Sequence, residues 1–180
     1  MAVKTLVTAD EFEQMPDDDT VQIELDEGEL VTMPLAGQEH GDIEGSILSR
    51  LYAFAKEHKL GKVYPGDTGF RLSDFIVRGP DIAFVRQERI SSDSNKRFVR
   101  GAPDLAVEIR SPSESFRQFT RKIKQYFAAG CRVVWVVDPD LRQIDVFEVS
   151  GAERTLGADD LLEAPELLPG FSVRVGELFE

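Results

Sequence analysis

One carboxylate, Glu108, stands inside the apolar run Leu105, Ala106, Val107 and Ile109. Such a run reads as a buried strand. A carboxylate within it is costly unless a cation, hydrogen bonds or a proton compensates it. The residues that follow narrow the fold further. Ser111 as N-cap, Pro112 at the first position and Glu114 three residues on have the pattern of a capped helix start. Phe116, Phe119, Ile123, Tyr126 and Phe127 then recur at helical spacing and cover one face. At about 100° per residue, Lys122 falls on the edge of that stripe, beside Ser115, Gln118 and Tyr126, while Arg121 points away. Gly130 is expected to end the helix, and CRVVWVVD follows as a second buried strand. The stretch is a βαβ unit with an acid at the end of its first strand.

At 180 residues the chain is expected to be one domain, spanning 1–180, with a core of its own. No apolar run approaches a membrane span, and MAVKTLVTADEF lacks the long apolar stretch of a signal peptide. The expected compartment is therefore the cytoplasm, without a membrane partner. The single cysteine, Cys131, leaves no internal disulfide framework and no thiolate metal cluster. Beside the strand 132–138 it reads as an inert core thiol. A net charge of −12 argues against non-specific adhesion to nucleic acid. The charge is unevenly spread, however. Residues 86–124 carry ten Lys/Arg and five Asp/Glu, so this segment is +5 and the remainder −17. The basic part surrounds Glu108 and Lys122, and the plain alternative is that most of these charges are solvated surface.

Along the rest of the chain, Thr8 and Glu11 form a capping box for a short helix from Thr8 to Met15. VQIEL and ELVTM read as a hairpin with Gly28 in its turn. From Gln38 to His58, Ile43, Ile47, Leu51, Phe54 and Ala55 make one helical stripe, and Gly61 is expected to end that helix. His40 and Glu44 fall inside the stripe, while Glu39, Asp42, Arg50, Lys56 and Glu57 fall outside it. Glu44 is thus the charged residue that breaks the amphipathic rule. KVYPGDTGFRLS is expected to be a strand interrupted near Pro65–Gly66. A turn and a strand follow over 75–85, entered through Pro80–Asp81, and then a polar loop at 86–100. QIDVFEV is expected to be an exposed antiparallel strand over 142–149, GAERTLGADD a polar hairpin or loop, and the tail a short strand with one helical turn.

Asp81 opens one strand and Glu108 closes the next. If the two pair antiparallel, the start of the first lies beside the end of the second and the acids are neighbours. Two close carboxylates cannot both ionise comfortably unless a cation lies between them or one keeps a proton. Glu44 from the helix stripe and Lys122 from the following helix bring the set to three acids and one amine. Hard oxygen donors without a cysteine or histidine cluster favour Mg²⁺ or Mn²⁺ over Zn²⁺. Each residue alone has a plainer reading. Asp81 after a proline serves a turn, Glu108 pairs with Arg110 or Arg132, and Lys122 snorkels from a helix flank. Asp104 and Tyr126 read as a strand-end cap and a core edge, Trp135 as core and His58 as structural or surface. Together, four misfits around one predicted place are harder to attribute to coincidence.

Pro80–Asp81, Glu108 in an apolar strand and Lys122 resemble the PD-(D/E)XK nuclease superfamily. More narrowly, the chain resembles a large bacterial family of restriction-endonuclease-like domains of unknown substrate. IELDEGELVTMP, PDIAFV, GAPDLAVEIRSPS, KIKQYFAAG, VVWVVDP and LPGFSVRVGELF carry the likeness over nearly the whole chain. The resemblance implies an α/β (α+β) restriction-endonuclease-like core, a mixed central sheet flanked by helices with an N-terminal β-hairpin. It implies Mg²⁺-dependent hydrolysis of phosphodiester bonds in DNA, with Asp81 and Glu108 as metal ligands helped by the Ile109 carbonyl. Glu44 corresponds to the acid many members carry on the helix before the sheet. Lys122 replaces the usual strand lysine, whose position is taken by Arg110, an alternative site cation. Gln118 stands where the family commonly has an acid.

The implied mechanism is metal-assisted hydrolysis, Lys122 orienting the attacking water or stabilising transition-state oxygens. His40, one turn before Glu44, is a possible hydrogen-bonding partner of the site, or simply a histidine at a helix start. A homodimer is expected, with the strand 142–149 and the C-terminal tail as contact regions. Two other functions stay open on the residues alone: a nuclease-derived binding or scaffolding domain without turnover, favoured by the acidic surface and Gln118, and a metal-free acid/base enzyme on a small substrate such as a sugar, which explains the lysine poorly.

Overall fold

The computed structural model describes residues 5–16, 21–92, 97–111 and 115–180. The first helix, α1 (Ala9–Gln14), starts on the Thr8–Glu11 capping box expected from sequence. Strands β1 (Gln22–Asp26) and β2 (Glu29–Met33) form the N-terminal hairpin. Its two-residue turn places Glu27 and Gly28 both at positive φ, the conformation of a type I′ turn, which matches the strand twist.

Helix α2 (Gln38–Glu57) buries Ile43, Ile47, Leu51 and Ala55, the predicted stripe. Its end differs from expectation. Lys59 takes the left-handed position after the helix, and Gly61 is already the first residue of β3 (Gly61–Pro65). A glycine is needed there for a different reason: a Cβ would lie 2.0 Å from the Val85 carbonyl oxygen on the neighbouring strand.

The stretch expected as one interrupted strand is two strands in different sheets, β3 and β4 (Phe70–Ser73). Residues 75–85 divide in the same way into β5 (Ile76–Arg78) and β6 (Ile82–Arg86). The chain thus crosses between sheets twice, near Gly66 and near Gly79. The backbones approach closely there, since a Cβ on Gly79 would stand 3.3 Å from the Gly66 carbonyl oxygen. The remaining elements are β7 (Val99–Arg100), β8 (Leu105–Ile109), α3 (Phe116–Ala128), β9 (Val133–Asp138), β10 (Gln143–Glu148), β11 (Glu153–Leu156), β12 (Leu161–Glu163) and β13 (Ser172–Arg174). A 3₁₀ turn over Val175–Phe179 ends the chain, so the tail is the short strand and helical turn expected.

One sheet has the order β2-β1-β5-β4-β7, the other β11-β10-β9-β8-β6-β3, and β12 pairs with β13. The six-stranded sheet is mixed, with β8 and β9 parallel and its other pairs antiparallel. Alternation along β8 divides its side chains between two cores. Leu105, Val107 and Ile109 join the cluster under α2 and the C-terminal segment. Ala106 belongs to the cluster beneath α3, and Glu108, two residues on, shares its face.

Two further expectations are corrected. The strand at 142–149 is not exposed along its edges: β10 is bonded to β9 on one side and β11 on the other, because the segment read as a polar hairpin or loop supplies β11. Helix α3 does not start from Ser111. Its N-cap is Ser115, and the capping box is closed by Gln118; Pro112 and Glu114 lie outside the described residues. The later start leaves Phe116 in the first turn, 79% exposed, rather than on the apolar face. The end at Gly130 is as expected, with Gly130 at positive φ and Cys131 N–H bonded to the Tyr126 carbonyl, the closing bond of a glycine C-cap.

Candidate active site

Strands β6 and β8 pair antiparallel with Ile82 opposite Val107, a register that sets Asp81 opposite Glu108. The contact is direct at the backbone: Ile109 N–H donates to Asp81 Oδ2 at 2.6 Å. The other oxygen, Oδ1, is 3.1 Å from His40 Nε2, at the start of α2. Hydrogen bonding to Asp81 raises the His40 pKa above its ordinary value, burial opposes this, and the charges of Asp81, Glu44 and Glu108 add to the rise. Glu44, one turn further along α2, accepts a hydrogen bond from the Gly66 amide. Its pKa is raised, by burial first and by the Asp81 charge second. A Cβ on Gly66 would stand 3.3 Å from Glu44 Oε1 and 3.2 Å from the Asp81 carbonyl, so the crossover packs directly on these acids.

Glu108 is 3% exposed, and both its oxygens accept hydrogen bonds from α3. Lys122 Nζ donates to Oε2 at 2.7 Å, and the Tyr126 hydroxyl to Oε1 at 2.6 Å. The donors lie four residues apart, so they share one helix face. Burial lifts the Glu108 carboxyl to about 8; the Lys122 ammonium pulls it down, and the Asp81 and Glu24 charges push it up. Arg110, the alternative cation, turns elsewhere: its Nη1 donates to Asp138 Oδ2 at 2.6 Å. Arg132 likewise pairs with Glu166. Gln118 is occupied by capping, its Oε1 accepting from the Ser115 hydroxyl and amide. His58 is exposed and stacks on Phe54, and Trp135 is fully buried in the core.

The sequence reading missed a second layer behind this pair. Arg78 is 5% exposed and binds Glu24 Oε2 at 2.8 Å, Asp26 Oδ1 at 2.6 Å and Gln125 Oε1 at 2.7 Å. Glu24 Oε1 accepts the Gly79 amide at 2.8 Å and stands 3.9 Å from Lys122 Nζ. Gln125 and Arg121, both on α3, reach Asp26 at 2.9 and 2.7 Å. The available signal was the i, i+2 spacing of Glu24 and Asp26. Leu25 between them is core, so that spacing reads as an ordinary solvent face until a second layer covers it.

The site opens into a cleft of about 1280 Å³ lined by His40, Glu44, Asp81, Arg110 and Lys122 among others. Ten acidic side chains and four Lys/Arg line it, so it is net acidic. The basic segment does not reverse this. Arg86 and Arg89 are bound to Asp104, at the far end of β8 from Glu108. Arg100 is bound to Glu13, and Arg121 to Asp26.

As the side chains lie, no group of three or more His, Cys, Asp and Glu residues among the described residues is placed to hold a metal ion. The donor chemistry nevertheless suits a hard cation. Asp81 and Glu108 are oxygen donors at opposed positions of paired strands, and the Asp81 charge raises the pKa of both Glu108 and Glu44. A divalent ion would relieve that strain. Mg²⁺ needs only one or two protein carboxylates, completing its shell with water and substrate phosphate.

A family model described as "Uma2: Putative restriction endonuclease" matches residues 9–176. Among solved structures, the chain is similar to one from Anabaena variabilis ATCC 29413 described as "a putative nuclease belonging to DUF820". The identity is 23%, the TM-score 0.83, and the match covers 96% of this chain and 97% of that one. That likeness is one of fold. No curated protein matches the chain. Among the described residues, no helix is long and apolar enough to cross a membrane.

Proposed function

The chain belongs to the Uma2 family, and from that premise we propose that it is a metal-dependent endonuclease hydrolysing phosphodiester bonds of DNA. The observation that carries the reading is that Asp81 is bound to the amide of Ile109, the residue after Glu108, at adjacent strand ends, with Lys122 on Glu108. Asp81 and Glu108 would hold Mg²⁺ or Mn²⁺, with Glu44 and the Ile109 carbonyl beside them. An ion bound there supplies a lowered water pKa and neutralises charge that builds on the phosphate.

The chain's own groups supply orientation. The Ile109 amide fixes Asp81, and the Tyr126 hydroxyl fixes Glu108. Lys122 presents an ammonium on the cleft wall, where it orients the attacking water or stabilises phosphate oxygens in the transition state. His40 orients Asp81 through Nε2. The proposal includes cytoplasmic action and a homodimer, since a duplex presents two scissile strands to one site per chain.

A second reading, a nuclease-fold binding domain without turnover, is favoured by the excess of acids lining the cleft. Incubating supercoiled DNA, single-stranded DNA and RNA with the protein in Mg²⁺, Mn²⁺ or EDTA separates the readings. Metal-dependent cleavage that is lost in Asp81→Ala supports the nuclease. Absence of cleavage in every arm supports the binding domain, and cleavage that survives EDTA overturns the metal-dependent mechanism.

A further inference from the structure

Lys122 lines the cleft while Glu108 does not, and the ammonium hydrogen-bonds the buried carboxylate at 2.7 Å. The ammonium therefore covers an acid that the proposed function assigns to a cation. A second carboxylate is close at hand, Glu24 Oε1, at 3.9 Å from the same nitrogen. We propose that Glu24 is a positioning residue for Lys122, the acid that takes over the ammonium when Glu108 turns to a bound divalent cation. The inference rests on the nuclease reading of this site.

Glu24 is built to stay where it is. It is 3% exposed, with Oε2 held by Arg78 at 2.8 Å and Oε1 by the Gly79 amide at 2.8 Å. A carboxylate oxygen accepts more than one hydrogen bond, so Oε1 has capacity for the ammonium besides the amide. Closing the gap to charge-assisted distance takes a shift on the order of 1 Å, within reach of a flexible lysine stem. The charges support the exchange. Glu24, Asp26 and Glu108 face Arg78, Arg121 and Lys122, with Glu27 also beside Arg121. A divalent ion beside Glu108 would repel the ammonium there, and Glu24, 3.9 Å away, is a carboxylate towards which it can retreat without leaving the site.

The experiment is a double-mutant cycle on Mn²⁺ affinity, measured by calorimetry on the full chain: wild type, Glu24→Gln, Lys122→Met and the pair, with folding of each followed by circular dichroism. Without Glu24 the ammonium stays on Glu108 and competes with the ion. Glu24→Gln is therefore expected to weaken Mn²⁺ binding about tenfold in the wild-type background and less than about twofold in the Lys122→Met background. In DNA cleavage Glu24→Gln lowers kcat with little change in KM. If Glu24→Gln does not fold, Glu24→Asp serves in the same cycle; it keeps the charge but withdraws the carboxylate, and the same background dependence is expected. Equal weakening in both backgrounds, or none, overturns the exchange while wild-type Mn²⁺ binding and cleavage leave the nuclease reading standing. A wild type that neither binds Mn²⁺ nor cleaves DNA overturns that reading and the exchange together.

Discussion

The Tyr126 hydroxyl donates to Glu108 Oε1 at 2.6 Å, one helical turn beyond the lysine that holds the other oxygen. Both residues are essentially enclosed, Tyr126 at 0% and Glu108 at 3% exposure. Tyr126→Phe keeps the ring and removes the donor, leaving a buried carboxylate oxygen short of a partner. A loss of about 1–3 kcal/mol in unfolding free energy is expected, measured by urea denaturation, together with slower cleavage.

The pH dependence of stability follows from the same acid. Burial, the largest influence, lifts Glu108 from 4.5 to about 8. A carboxyl whose folded pKa is raised holds its proton more tightly in the folded chain. Its contribution to stability is full below its unfolded value and is lost as pH rises through its folded value. In EDTA the melting temperature is expected to fall from pH 5 to pH 8.5, with a shallower fall in Glu108→Gln. Metal binding needs the carboxylate ionised, so Mg²⁺ should raise the melting temperature more at high pH than at low. Equal slopes for the two proteins would contradict this assignment.

Arg78 joins the hairpin, β5 and α3 through Glu24, Asp26 and Gln125. Arg78→Met leaves buried Glu24 without its guanidinium and Asp26 with only that of Arg121, and a loss of about 3–5 kcal/mol is expected by chemical denaturation. Arg154→Ala, which breaks an exposed pair with Glu148, is expected to cost under about 1 kcal/mol.

Cys131 is 0% exposed, and burial pushes its thiol up to about 12. It is expected to resist iodoacetamide in the folded protein and to react once the chain is unfolded in urea, as mass spectrometry would show.

The part of the site legible in the sequence was the part that broke a local rule. Glu108 interrupts an apolar strand and Glu44 an amphipathic stripe, so both advertise themselves as costly burials. Asp81 was located by strand pairing, and β6 does lie antiparallel to β8. The choice between Lys122 and Arg110 could not be read from spacing. It depends on which way each side chain leaves its element: Arg110 goes to Asp138 and Lys122 to Glu108. Glu24 and Asp26 were hidden because an alternating strand normally sends such residues to water, and only the arrival of α3 buries them. Gln118 read as a lost site acid; in the fold it closes a helix cap and also lines the cleft. The division of 61–86 between two sheets was equally hidden, because each crossover depends on backbone contacts across the chain rather than on a local turn signal.

The central claim, that the Asp81–Glu108 pair is where a divalent ion is held, is tested most directly by titrating Mn²⁺ into the wild-type chain and into Asp81→Ala in a calorimeter. Saturable binding by the wild type, weakened more than about tenfold in the variant at unchanged fold, is the predicted result. Equal binding by the two proteins, or no binding by the wild type, would contradict it.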